Sequence, residues 1–273
     1  MALRSCFSYW WFPVFSSLVW LGMLLGMLLY WVVDTNKQHY SSMKPGMTLP
    51  YISTIGAYEL KPLFIAGSCV VTATLDISFL TERWLRHRGR LVPNQSIGEK
   101  ILFGLSIIFA VVGTVGLICL SIFDTVRHPT LHDVFLLLFM GGYVISAIFI
   151  CWEYQRLGIK NREHRVLRIS FWIKLTFILV EIALGIAFGV LTFRKHQGIA
   201  AYFEWVIAFI FTGYVLSFAV DLYPATKTRS YSQRFPKPSL RDNVQGDPVS
   251  DESLPMQQQP QPAYTRGRRL IHF

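Results

Sequence analysis

Charge is scarce in this sequence of 273 residues: Lys, Arg, Asp and Glu make up 15% of it, whereas a typical soluble domain carries about 25%. Cysteine is scarce as well, and four Cys in a chain of this length exclude a disulfide-held scaffold. The sequence also lacks a glycine-rich phosphate loop, a redox cysteine pair and a recognisable Ser-His-Asp pattern. The common sequence signatures of nucleotide, thiol-redox and acyl-transfer enzymes are therefore missing.

What the sequence has instead is apolar residues, which form 52% of the chain and occur in long blocks. A helix of about 20 apolar residues crosses the roughly 30 Å hydrocarbon core of a bilayer. The blocks show neither the alternation of a barrel strand nor the polar face of a soluble helix. We therefore predict an all-α, polytopic membrane protein with six transmembrane helices in one bundle, residues 1–224. The predicted spans are residues 10–33, 62–81, 101–123, 134–152, 171–193 and 201–222.

Basic residues are divided unevenly between the two sides of these spans. Nineteen of the 26 Lys and Arg fall at the N-terminus, in the second and fourth loops and after the last span, and six fall in the other three loops. Because Lys and Arg favour the cytoplasmic side, we predict that both termini are cytoplasmic. The glycosylation sequon that begins at Asn94 then lies in a cytoplasmic loop and is expected to stay unmodified.

The chain beyond the last span, residues 225–273, is predicted to be a disordered, basic and Pro/Gln-rich cytoplasmic tail. Its first part carries five basic residues and no acid before Asp242, and these are Lys227, Arg229, Arg234, Lys237 and Arg241. Such a cluster attracts anionic lipids by about 1 kcal/mol per basic residue. Lipid contact and a passive tail are both open interpretations. The membrane accounts for the charge, so nucleic acid is not an expected partner.

Two loop strings carry more information than the spans. The first loop contains a Pro-Tyr-Ile-Ser-x-x-Gly string, with Pro50, Ile52, Ser53 and Gly56 as its defining positions. The third loop contains an Asp-x-x-x-His-x-x-x-His string that begins at Asp124. With the end of the last span, these strings resemble the Frag/DRAM/Sfk family of six-span membrane proteins, related to the N-terminal domain of the fungal CWH-type proteins. The resemblance covers roughly residues 10–224, and the compact domain with its basic tail is most similar to the fungal Sfk-type branch.

The resemblance implies several roles, because relatives are associated with GPI-anchor lipid remodelling, with plasma-membrane phosphoinositide kinase complexes and phospholipid asymmetry, or with lysosomes and autophagy. We expect a non-enzymatic protein that organises membrane lipids, above all anionic lipids at the cytoplasmic face, or supports a peripheral phosphoinositide kinase complex. A GPI-anchor lipid-remodelling enzyme, or an accessory factor of one, is the alternative. The plasma membrane is favoured, and the Golgi, endoplasmic reticulum, vacuole or lysosome stay open. No cofactor is expected.

The enzyme alternative depends on His128 and His132, which are flanked by Asp124 and Asp133. Histidines four residues apart on a helix can share one metal ion, and the same groups can serve as acid and base on a lipid headgroup. The structural alternative places Pro129 at the first position of a helix, His128 at its cap and Asp133 in its first turn. A two-histidine spacing is common and lacks the Glu of metalloprotease motifs, so we predict no metal site.

We single out three ionisable residues inside the predicted spans, namely Asp76, Lys174 and Glu181. Charge at that depth is costly and usually faces the bundle interior. One interpretation is an intramembrane polar cluster, and a transporter centred on Glu181 is a distant alternative because no internal repeat is evident. The favoured interpretation is a neutral Glu181 that is hydrogen-bonded between helices, with Asp76 and Lys174 near the interfaces.

Two glycine pairs lie in the spans, Gly22 with Gly26 and Gly185 with Gly189. A four-residue spacing of glycines allows two helix backbones to approach closely. We expect these pairs to serve packing within the bundle, and a homodimer contact is also possible.

Overall fold

The structure is a computed structural model that describes residues 9–94, 96–161, 165–226 and 228. These residues form six long α-helices, one short α-helix and no strand. A π-helical turn, Tyr30–Asp34, continues α1, and a 3-10 turn, Tyr223–Thr226, continues α7. The helices are α1 (Trp11–Leu29), α2 (Ile52–Ile55), α3 (Lys61–His87), α4 (Ile97–Ile122), α5 (Pro129–Lys160), α6 (Arg165–Phe193) and α7 (Gln197–Leu222). All six long helices are apolar and long enough to cross a membrane. The predicted all-α, six-span fold class is confirmed.

The helix starts follow local sequence signals. The hydroxyl of Ser96 accepts a hydrogen bond from the Glu99 N–H, and the Glu99 carboxylate accepts one from the Ser96 N–H, so a capping box begins α4. Proline occupies the first turn of α3, at Pro62, and of α5, at Pro129. Proline is suited to these positions because the first N–H groups of a helix have no partner within it.

Three helices run well past their predicted spans, and one of them, α6, begins at Arg165 although its span was expected to start at residue 171. The second span was expected to end at residue 81, but α3 continues to His87. The fourth span was expected at residues 134–152, whereas α5 covers Pro129–Lys160. Hydropathy marks only the part of a helix that suits hydrocarbon. The polar turns beyond it are stabilised by contacts with neighbouring helices, which hydropathy does not register.

The bundle has an uneven distribution of contacts. The main packed pairs are α4 with α5, α6 with α7, and α1 with both α3 and α7, and α6 also packs on α5. Only 11% of the apolar stretch of α6 is buried, against 33–50% for the other five long helices. Large apolar side chains on its outer face, including Trp172, Leu179 and Ile186, are exposed and suited to contact lipid. Helix α6 is therefore the peripheral wall of the bundle.

The closest helix approach lies between α4 and α5, at glycines other than the predicted pairs. A Cβ atom on Gly142 would lie 2.8 Å from the Cα of Gly113, and one on Gly116 would lie 2.8 Å from the Cα of Phe139. The predicted pairs are different, because a Cβ on Gly22 or Gly189 would have no neighbour within 4 Å and those on Gly26 and Gly185 would make ordinary contacts. The prediction that these pairs pack closely within the bundle is wrong. Spacing shows that two glycines share a face but does not show which helix lies against it.

Contacts between loops define the two ends of the bundle. At one end, which we call the basic end, the Arg90 guanidinium donates to the carbonyl of Ala225 at 2.5 Å, and the side chain of Thr228 donates to the carbonyl of Arg90. At the other, which we call the motif end, the Lys61 ammonium lies 2.7 Å from the Asp124 carboxylate. The basic end comprises the ends of α3, α5 and α7 and the starts of α1, α4 and α6. The prediction is that it faces the cytoplasm.

Candidate functional site

The Pro-Tyr-Ile-Ser-x-x-Gly string docks onto the start of α7 at the motif end. The Ile52 N–H donates to the Glu204 carboxylate at 2.9 Å, and the Trp205 indole N–H donates to the Pro50 carbonyl at 3.0 Å. The N–H and hydroxyl of Ser53 bond to the same carboxyl group. A Cβ atom on Gly56 would lie 2.6 Å from the Phe64 ring. Sequence reasoning missed Glu204, although it is an acid inside the last predicted span.

Asp124, the first residue of the third-loop string, fastens that loop to the start of α3. Its carboxylate accepts hydrogen bonds from the Lys61 ammonium at 2.7 Å and from the Arg127 backbone N–H at 2.7 Å. Burial opposes ionisation of this group, but these bonds and the charges of Lys61 and Arg127 hold its pKa below the usual range. The carboxylate oxygens of Asp124 therefore accept hydrogen bonds that hold the loop in place.

The other candidates of the third loop point in different directions. His132 is buried, and its Nδ1 lies 2.9 Å from the Phe123 carbonyl oxygen, to which it donates. His128 occupies the N-cap position of α5 and is exposed, and Pro129 begins the helix as predicted. Asp133 is exposed and is the fifth helical residue, so its predicted place in the first turn is wrong. Within the described ranges, no group of three His, Cys, Asp or Glu side chains is arranged to hold a metal ion.

Within the described residues, the three intramembrane residues form no hydrogen bond or ion pair with one another, so the hypothesis of a single polar cluster is wrong. Asp76 accepts a hydrogen bond from the Thr114 hydroxyl at 3.0 Å, and Thr114 in turn bonds the Tyr143 hydroxyl at 2.9 Å. The Lys174 ammonium lies 2.5 Å from the Asp221 carboxylate. Glu181 is bonded to neither group within the described residues, although Tyr143 and Glu181 line one cavity. Helical spacing placed Lys174 and Glu181 on one face, but the neighbouring helices present different partners at each level.

The Lys174–Asp221 pair joins α6 to α7 in the interior of the bundle. Both side chains are almost fully buried, with 0% and 1% exposed. The Ser170 hydroxyl also donates to Asp221, and the Lys174 ammonium lies 3.9 Å from the centre of the Phe218 ring. Sequence reasoning missed Asp221. Asp221 lies one residue before the end of the last predicted span, and Lys174 lies three residues after the start of the fifth. Both residues are therefore near the same end of the bundle, which is the signal that could have paired them.

A second buried ion pair lies nearby, towards the basic end. The Arg86 guanidinium lies 2.7 Å from the Glu82 carboxylate, which also accepts from the Tyr154 hydroxyl at 2.6 Å. Arg86 donates to the Val92 carbonyl at 2.9 Å as well. Because Lys174 lies 5.4 Å from the Tyr154 ring centre, Tyr154 lies between the two pairs. Helices α3, α5, α6 and α7 are thereby joined through polar contacts.

At the basic end, the acidic side chains are buried and several basic side chains are exposed. Its described acids are buried and bonded within the protein, Glu82 to Arg86, Glu99 to Lys160, Glu153 to Asn94 and Asp221 to Lys174. Five bases at this end are exposed and form no ion pair within the described residues, namely Arg88, Lys100, Arg156, Arg165 and Arg168. This end therefore presents positive charge without exposed acids in the described segments.

A cavity lies between the inner face of α6 and the rest of the bundle. Its volume is about 100 Å³, and its wall is mostly aromatic rings and aliphatic side chains. Glu181 and Glu204 are the acids of this wall. The Glu181 Oε1 atom is buried and has no hydrogen-bond partner among the described residues. The expectation that Glu181 is hydrogen-bonded between helices is therefore wrong.

The tail residues predicted to contact lipid, Lys227, Arg229, Arg234, Lys237 and Arg241, lie outside the described residues. Asn94 of the sequon is described: its amide nitrogen donates to the Glu153 carboxylate at 2.7 Å, and the residue is buried. A glycan would have to be attached to this nitrogen, so the contact agrees with the prediction that Asn94 stays unmodified.

The structure is that of a polytopic α-helical membrane protein. It has six long apolar helices, buried ion pairs towards one end of the bundle and a docked loop at the other. The chain belongs to the Frag1/DRAM/Sfk1/Cwh43P N-terminal domain family, whose sequence model matches residues 8–225. The family resemblance inferred from the loop strings is confirmed.

Two fungal proteins illustrate this relationship. Protein sfk1 of Schizosaccharomyces pombe is 32% identical over 218 residues, which cover 78% of this chain and 63% of that protein. Protein SFK1 of Saccharomyces cerevisiae is 24% identical over 277 residues, with 77% of each chain covered. The chain thus spans less than two thirds of the length of the fission yeast relative. Both similarities support the Sfk-type branch, and no solved structure matches the chain.

Proposed function

We propose that this protein is a non-enzymatic organiser of membrane lipids that gathers anionic lipids at its cytoplasmic face and supports a phosphoinositide kinase complex there. The observation that carries this proposal is the sorting of charge at the basic end, where acids are buried in pairs and Arg88, Lys100, Arg156, Arg165 and Arg168 are exposed. Each basic residue close to an anionic leaflet contributes about 1 kcal/mol of attraction.

The position of these bases along the helices supports contact with lipid headgroups. Exposed tryptophans mark the membrane interface, where their rings lie at headgroup level. Trp84, Trp152 and Trp172 are 42%, 52% and 60% exposed. An exposed Arg lies four residues beyond each of them towards the basic end: Arg88 after Trp84, Arg156 after Trp152 and Arg168 before Trp172. Four residues are about 6 Å of helix, so each of these arginines lies about one turn beyond its tryptophan, towards the side where we expect the lipid phosphates.

The cytoplasmic leaflet of the plasma membrane is rich in anionic lipid, which is why we propose that membrane. The basic tail residues, which begin at Lys227, follow α7 at the same end and add to the positive charge. A kinase that acts on phosphoinositides would find its lipid concentrated beside this surface. The enzyme alternative has less support, since Asp124 and His132 are engaged in contacts within the fold while His128 and Asp133 face outwards.

The experiment is lipid enrichment in nanodiscs that contain phosphatidylcholine and a minor share of phosphatidylinositol 4-phosphate. The full chain is compared with a variant in which Arg88, Lys100, Arg156, Arg165 and Arg168 are changed to Gln. We expect the wild type to retain the phosphoinositide through detergent exchange and the variant to lose most of it. The control changes Lys37, Lys44, Arg194 and Lys195 to Gln, because these bases are exposed at the motif end. Equal loss in both variants would contradict the proposal.

The kinase part has its own test. A phosphoinositide kinase should co-purify with the wild-type protein from membranes, and less of it should co-purify with the basic-end variant. Normal recovery of the kinase with this variant would separate lipid gathering from kinase support and overturn the second half of the proposal.

A further inference from the structure

The cavity beside α6 is a gap between this helix and the rest of the bundle. Phe177, Ile178 and Phe188 of α6 line it together with Phe139 and Phe211 from α5 and α7. The inner face of α6 thus meets open space where other helices meet side chains, in keeping with its low buried fraction of 11%. Protein interiors rarely contain voids of this size, and a void forfeits the dispersion contacts of the atoms that line it. A bound molecule would restore those contacts.

The wall of this cavity carries a buried carboxyl oxygen that has no partner among the described residues. Glu181 lies 12 residues from the end of α6 at Phe193, which is about 18 Å of helix, so its carboxyl group lies deep in the bilayer. The buried Oε1 atom has no partner among the described residues, although buried polar atoms are normally hydrogen-bonded. Glu204, the other acid of the wall, already accepts from the Ile52 N–H. Glu181 is therefore the group that is free to hold a ligand.

The charges around Glu181 restrict what that ligand is. Among the described residues, the cavity wall contains no Lys, Arg or His, and Lys174, two turns away on the same helix, is paired with Asp221. A phosphate group would meet two carboxyl groups and no cation, so an anionic headgroup does not fit. An ionised Glu181 would likewise have no counter-charge, and charge at this depth is costly. The uncharged acid, by contrast, donates one hydrogen bond and accepts another. An alcohol offers the complementary donor and acceptor.

We propose that this cavity binds a neutral lipid with a free hydroxyl group, which is held by Glu181 while the hydrocarbon body lies against the rings of Trp20, Phe139, Phe177 and Phe211. The ligand enters from the bilayer past α6, the most peripheral helix. A hydroxyl group is small enough to be placed at this depth, whereas a phosphate-bearing headgroup is not. This site is separate from the anionic-lipid surface at the basic end, and neither proposal depends on the other.

The test uses the purified full chain in phosphatidylcholine nanodiscs and a photoactivatable diacylglycerol. We expect the probe to label α6 or α7 of the wild type. Glu181→Leu should reduce labelling about tenfold. It removes one buried hydrogen bond and leaves the hydroxyl group of the lipid without a partner, and such a loss has an effect of this order. Glu181→Gln should keep most of it, because an amide also donates and accepts. Leu179→Val, on the exposed face of the same helix, is the matched control and should leave labelling unchanged.

Three results would overturn the proposal. Equal labelling of wild type and Glu181→Leu would show that the carboxyl group does not hold the lipid. Equal labelling by a photoactivatable phosphatidylcholine with the same chains would show that the site does not select a hydroxyl. Labelling by a photoactivatable sphingosine that Glu181→Gln abolishes would show a site for a lipid amine. Because Glu181→Leu removes a buried polar group, each variant is also checked for a wild-type elution profile, and the five-base variant of the basic end should label normally.

Discussion

Removing one partner of the Lys174–Asp221 pair should destabilise the bundle severely. In Asp221→Leu, the Lys174 ammonium would stay between the Phe218 and Tyr154 rings, with the Ser217 hydroxyl at 3.3 Å as its remaining polar contact. Both side chains of the native pair are at most 1% exposed. Breaking such a buried pair from one side costs about 3–5 kcal/mol, because a buried charge is left without compensation.

A double variant tests whether the lost stability comes from losing the ion pair itself or from leaving one buried charge without a partner. Lys174→Met with Asp221→Leu removes both charges and fills the space with apolar atoms, and such replacements are often neutral or stabilising. We therefore expect the double variant to recover most of the stability that Asp221→Leu loses. The exposed control is Arg127→Gln: this side chain is 69% exposed and lies 3.4 Å from Asp124, so its loss should cost about 0–1 kcal/mol.

The assay is unfolding of the purified protein in mixed micelles as the denaturing detergent increases, followed by tryptophan fluorescence. The order of stability should be wild type and double variant together, Arg127→Gln slightly below, and Asp221→Leu far below. Equally small losses of stability in Asp221→Leu and Arg127→Gln would contradict the prediction. A double variant as unstable as Asp221→Leu would contradict it as well.

Three further predictions concern the motif end, the helix interface and the sequon. The fold lowers the pKa of Asp124. The stability that its carboxylate contributes is therefore present above the pKa of the unfolded chain, about 3.9, and is lost as the pH falls through the lower pKa of the folded state. We expect Asp124→Asn to be destabilising at pH 7 and to flatten the acid limb of a stability-versus-pH curve. Gly142→Ala should cost about 1–3 kcal/mol through overpacking, whereas Gly22→Ala, which meets open space, should be neutral in the same unfolding assay. Glycosidase treatment should not shift the gel mobility of the protein, because the Asn94 amide nitrogen is buried on Glu153; a shift that Asn94→Gln removes would also contradict the predicted orientation.

The fold class was predictable because hydrocarbon imposes a length and a composition on every spanning segment. The extent of a helix beyond the bilayer was not, and α5 exceeds its predicted span at both ends because packing stabilises its polar turns. The start of α5 at Pro129 was predictable from local backbone chemistry.

The partners of the intramembrane residues were much harder to infer. Residues 47 positions apart in sequence, such as Lys174 and Asp221, meet only because α6 and α7 lie side by side, and periodicity does not tell which helices are neighbours. The same holds for Glu204 and Ile52. Glu181 was singled out because an acid at that depth is costly. The open cavity beside it depends on how loosely α6 packs, which no local pattern records.

The most direct test of the central claim is the salt dependence of phosphoinositide retention in nanodiscs. Retention by the wild type should fall steeply as salt rises from about 0.05 to 0.5 M, because screening shortens the reach of exposed charges. The basic-end variant should show low retention at every salt concentration, and the motif-end control should follow the wild type. A wild-type curve that is flat with salt, or a basic-end variant that follows the wild type, would contradict the claim that the exposed bases of this end gather anionic lipid.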